Sequence, residues 1–144
     1  EKNEELAQFH RSHLLQLSET KLTQNELLYK SHVLFNMQQQ SEACQNVQHA
    51  VEMGVRKGGP RKQAHSNYAM AINDLIICES LKKPGLTQEK AKNAIEKIKG
   101  ILLEDDQSGK GNLRKKVRST LQNATTRLEN WMHDGTAFDA VFLW

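Results

Sequence analysis

Apolar residues recur three and four positions apart along nearly the whole chain, and no segment alternates with period two for long. That spacing predicts an all-α protein. Residues 2–18 place Leu6, Phe9, His13, Leu14 and Leu17 on one side, with Glu4, Glu5 and Arg11 elsewhere, which predicts an amphipathic first helix. Thr23-Gln24-Asn25-Glu26 then has the form of a capping box. The Thr hydroxyl can accept from the amide of Glu26 while the Glu carboxylate accepts from the amide of Thr23, and Leu22 and Leu27 can form a hydrophobic staple around the pair. The second helix begins there. Its apolar line runs through Leu27, Leu34, Met37, Cys44, Val47 and Val51 and fades at Gly54, with a polar interruption at Gln38-Gln39-Gln40-Ser41 that suggests a bend or break near Ser41.

Paired glycines and a proline in Arg56-Lys57-Gly58-Gly59-Pro60-Arg61-Lys62 end that element and reverse the chain. Residues 68–81 follow as the most apolar stretch, with hydrophobic side chains around most of the circumference, as in a helix surrounded by neighbours. Lys82 and Lys83 suit its negative end, Pro84-Gly85 stop it, and Thr87 can cap a fourth helix striped by Ala91, Ala94, Ile95, Ile98, Ile101 and Leu102. Residues 105–111 have the composition of a solvated polar turn. Beyond them Leu113, Val117, Leu121, Ala124, Leu128 and Met132 mark a fifth helix with a regular inner face, ending near His133. The predicted architecture is a single domain over 1–144, an antiparallel bundle of about five helices with a short apolar C-terminal segment. That segment, residues 136–144, either closes one end of the bundle or docks on a partner.

A chain of 144 residues is long enough to bury a core, and no apolar run approaches the ~20 residues needed to cross a bilayer. The first residue is Glu1, with no leader-like apolar run behind it, as in a mature secreted chain or a domain taken from a longer protein. Cys44 and Cys78 are the only cysteines, too few for a disulfide-dense scaffold or a metal cage. If the second and third helices fold back about Gly58-Gly59, residue 44 is level with residue 74 or 75, and Cys78 lies roughly one turn, ~5 Å, further on. A Cys44–Cys78 bridge and two buried free thiols both fit. Asn123-Ala124-Thr125 is an acceptor sequon that would matter in a secreted protein.

Motifs for catalysis do not appear. Gly109-Lys110-Gly111 lacks the upstream glycine and following hydroxyl of a phosphate loop, and the acidic residues beside it lack the spacing of a calcium loop. His10 and His13 share a face without further ligands in register, so a half-buried histidine beside Phe9 and Leu14 is expected there and no metal or cofactor. No Gly-x-Ser-x-Gly elbow is present.

Charge distribution is more informative than the net +3, from 20 Lys+Arg against 17 Asp+Glu. One basic cluster is Arg56, Lys57, Arg61 and Lys62. A second, Lys110, Arg114, Lys115, Lys116 and Arg118, sits at the start of the fifth helix, where cations oppose the helix dipole. These are the candidate binding residues, for a protein or a polyanion such as a sulfated glycan or an acidic protein surface. Nucleic acid is the weakest partner, because no aromatic residue is interleaved with either cluster. The expected function is that of a non-enzymatic binding protein, secreted and engaging an extracellular or host macromolecule. The alternatives are a cytoplasmic helical adaptor domain excised from a larger protein, and an enzyme whose residues assemble only in three dimensions.

Overall fold

The computed structural model describes residues 2–16, 22–57, 59–82, 85–109 and 111–135. The fold is all-α. Six helices follow one another: α1 (Lys2–Gln16), α2 (Gln24–Asn36), α3 (Gln40–Glu52), α4 (Arg61–Leu81), α5 (Gln88–Gln107) and α6 (Lys115–Asp134). They gather into two compact units, Glu1–Gly54 and Val55–Trp144. The apolar segment 136–144 lies outside the described residues.

In the N-terminal unit α2 starts at the predicted capping box. Thr23 Oγ1 accepts from the Glu26 amide at 3.2 Å and Glu26 Oε1 accepts from the Thr23 amide at 2.9 Å. The single second helix expected from the apolar line is in fact two helices, broken at Met37, Gln38 and Gln39, a few residues before Ser41. The cause is a Schellman turn built without glycine. Gln38 adopts φ 60°, its N–H reaches the Phe35 carbonyl at 3.0 Å, and the Gln39 N–H reaches the Leu34 carbonyl at 2.9 Å. The chain reverses there, and α3 returns antiparallel along α2.

Gln24, the first residue of α2, secures the other end of this hairpin. It is buried, and its Nε2 donates to the carbonyls of Ala50 at 2.9 Å and Gly54 at 2.8 Å. The last turn of one helix is thus capped by the first turn of the other, satisfying carbonyls that have no partner within their own helix. Between these two ends Leu27, Leu28, Leu34, Ala43, Val47 and Ala50 are fully or almost fully buried. Each large aliphatic side chain so placed contributes roughly 1.5–3 kcal/mol. α1 packs against α2. Its His13 is exposed and stacks on the exposed ring of Phe9 at 6.5 Å, so the half-buried histidine expected there is instead solvated on the outer side of the helix.

The C-terminal unit is a three-helix arrangement whose directions follow from its contacts. Gln88 at the start of α5 donates to the Met132 carbonyl near the end of α6, so these two are antiparallel. Glu79 near the end of α4 pairs with Lys90 in the first turn of α5 at 3.6 Å, so α4 and α5 are antiparallel as well. α4 begins at Arg61, earlier than its apolar pattern announces, because Pro60 supplies the preset φ of an N-cap and the helix needs no apolar residue in its first turn. It is buried around most of its circumference, and Ala69, Ala71, Ile72 and Cys78 are completely inaccessible. Thr87 caps α5 as predicted, accepting from the Lys90 amide at 3.1 Å. The stripes of α5 and α6 supply Ala91, Ile95, Ile98, Val117, Leu121 and Leu128 to the core, while Asn123 of the sequon is exposed.

Neither cysteine is free; both are disulfide-bonded, and since the chain has only these two, the bond is Cys44–Cys78. The break between α2 and α3 is the kind of bend in the second helix that such a bridge requires.

Two outcomes follow for stability. Gln24→Ala leaves the carbonyls of Ala50, in α3, and Gly54, just after it, without this donor and is expected to cost on the order of 1–3 kcal/mol, read as a lower urea midpoint at unchanged m-value. The disulfide closes a loop of about 35 residues, so its reduction is expected to remove about 4 kcal/mol by chain entropy, with a gain of about 2 Da in intact mass under reductant.

Candidate functional site

The residue that organises the candidate site is Asp105, in the last turn of α5. Residues 105–111 read as a solvated turn, yet Asp105 is buried, as is Asn112 just beyond; Leu113 is buried as its place on the inner stripe predicts. Asp105 Oδ1 accepts from the backbone N–H groups of Asn112 and, at 2.9 Å, Leu113; its Oδ2 accepts from Arg118 Nη1. A second guanidinium nitrogen, Nη2 of Arg118, donates to Asp106 at 2.7 Å. Gly109 and Gly111 take φ of 71° and 73°, which lets the intervening loop coil tightly enough to bring its amides onto the carboxylate. Burial pushes the Asp105 carboxyl up, but the amides of Leu113 and Asn112 and the Arg118 charge outweigh it and hold the group below its ordinary range.

This clasp fixes where α6 begins. The Arg114 N–H donates to Ser66 Oγ on α4 at 3.0 Å, and Ser66 is fully buried. Ser66 lies five residues into α4, about 7 Å along the axis from Arg61. The N-termini of α4 and α6 therefore stand side by side at one end of the unit, and the two basic clusters, separated by some fifty positions in sequence, share that end. Arg56, Lys57, Arg61, Lys62, Arg114, Lys115 and Lys116 are all exposed. Neither helix has an acidic residue in its first turn or a side-chain cap on its free amides, in contrast to α2 and α5, which have both. The five cations at the starts of α4 and α6 (Arg61, Lys62, Arg114, Lys115 and Lys116) thus meet the solvent together with two positive helix ends, with Glu104 and Asp106 as the acidic neighbours contributed by α5.

Two members of the predicted set are placed differently. Arg118 is engaged by Asp105 and Asp106 and its side chain is largely covered, so it holds the loop in place. Lys110 lies outside the described residues. Asp105 and Ser66, which position the site, were not among the sequence candidates; a carboxylate followed by a Gly-x-Gly turn and an arginine is the local signal that could have pointed to the first.

Among the described residues no group of three or more His, Cys, Asp or Glu is placed to hold a metal ion, and no helix is long and apolar enough to cross a membrane. Compared with protein-family models, curated proteins and solved structures, the chain matches none of them.

Asp105→Ala is expected to destabilise the protein by about 2–4 kcal/mol, since it strands two buried amides and a guanidinium. Because the folded-state pKa of Asp105 is lowered, the contribution of the charged carboxylate is present above the ordinary carboxylate range and disappears as pH falls through the lowered folded-state pKa. In urea titrations the advantage of wild type over Asp105→Asn should therefore hold from pH 7 to about 5 and shrink below about pH 4.

Proposed function

We propose that the protein is a non-enzymatic, extracellular binding protein that engages a polyanion, either a sulfated glycan or an acidic protein surface, through the basic end of its C-terminal unit. The observation that carries this reading is the Arg114–Ser66 hydrogen bond, which makes one surface of two clusters that sequence leaves apart. Concentrating like charge costs stability through self-repulsion, and the uncapped, acid-free first turns of α4 and α6 add to that cost. A bound anion would relieve both. The disulfide supports an oxidising compartment and counts against the cytoplasmic adaptor reading. Nucleic acid fits poorly, because no Phe, Tyr or Trp stands among these cations to stack on bases.

Heparin affinity chromatography and its salt dependence test the reading. Wild type should be retained in moderate salt. Removing either Arg61 and Lys62 or Arg114, Lys115 and Lys116, each changed to Ala, should weaken binding, with the slope of log K against log salt falling by about 0.7–0.9 per cation lost from the contact. Equal retention of both variants and wild type would defeat it, as would dependence on one cluster alone.

A further inference from the structure

We propose that the hollow between the C-terminal half of α4 and the N-terminal half of α5 is a binding site for a small amphipathic anion, a short aliphatic chain ending in a carboxylate. The hollow measures about 280 Å³. That is close to the lower bound for small-molecule sites, and too small for a partner helix about 10 Å across. Buried Ile72 and Ile76 form its floor, and half-exposed Leu75, Leu86 and Ala94 form its walls, so the interior offers contact to methylene groups and little hydrogen bonding.

Polarity is confined to the rim, and its sign is positive. Glu79 is shared between Lys82 at 3.5 Å and Lys90 at 3.6 Å, and the Lys90 ammonium is further held by the Gly85 carbonyl at 3.4 Å. Lys97, one helical turn beyond Asn93 on the same edge, is exposed and has no ion-pair partner among the described residues. One unneutralised ammonium next to an amide, above an apolar hollow, complements a carboxylate head with an alkyl tail. A neutral alcohol would leave Lys97 unused, and an alkylammonium would be repelled by it. The site lies at the end of α4 away from Arg61 and Arg114, so it stands or falls independently of the basic end.

Decanoate and decyltrimethylammonium below their micellar concentrations, and decanol below its solubility limit, are the probes, with amide NMR shifts on the full chain as the readout. Decanoate is expected to shift amides of residues 72–97 saturably and to bind more tightly than the other two. Ala94→Trp, at a half-exposed wall position where the indole can fill the hollow, should abolish the saturable shifts. Lys97→Glu, on an exposed edge where folding is not at stake, should weaken decanoate about five- to tenfold and leave decanol unchanged. No saturable shift up to about 1 mM, unchanged binding in Ala94→Trp, or a preference for decyltrimethylammonium would each overturn the proposal.

Discussion

The buried carboxylate of Asp105 sets the geometry around the start of α6 in the C-terminal unit. Asp105 collects two backbone amides and a guanidinium, and each is a group that would otherwise need water or another partner. Without it the amides of Asn112 and Leu113 would lack their acceptor, and the clasp that leads into the Arg114 N-cap, whose amide donates to Ser66, would be lost. The exposed cations at that end owe their neighbourhood to an acidic residue that itself does not face solvent. Arg118 illustrates the division of labour: it belongs by sequence to the basic run, yet its charge is consumed internally, which leaves the remaining members oriented outward.

The two helix hairpins reach similar ends by different chemistry. In the α2–α3 pair, reversal is achieved by a left-handed glutamine and the open ends are joined by the amide of Gln24. In the α5–α6 pair, reversal uses left-handed glycines around a carboxylate, and the open ends meet through Gln88 and the Met132 carbonyl. Side-chain amides and carboxylates at helix ends thus do in three dimensions what caps do locally.

What the sequence made legible was local. Helical character follows from spacing alone, and the caps at Thr23 and Thr87 depend on contacts three residues apart, so they could be named in advance. The break falls at the start of the polar interruption, but its form was not legible, because glycine or asparagine is what announces a left-handed residue, and glutamine adopts that conformation at a steric cost that the flanking hydrogen bonds offset. The first two turns of α4, residues 61–67, went unrecognised because their only buried apolar side chain is Ala64. Burial of Asp105 was invisible for a deeper reason: an acidic, glycine-rich turn looks the same whether its carboxylate faces water or backbone amides, and the choice is made by where Arg118 and Ser66 arrive. The basic residues themselves were identified, but their convergence rests on a contact spanning 48 positions that no local pattern encodes.

The Gln24 tie between the beginning of α2 and the end of α3 also bears on how the chain acquires its shape. Every contact that closes this hairpin joins residues within about thirty positions of one another, so little loop entropy opposes its formation. The hairpin has what it needs to assemble from nearby partners, before the residues of α4 have left the ribosome. Cys44 sits on α3 of that hairpin, so the helix that carries it has partners of its own and does not depend on the bond to Cys78 to form.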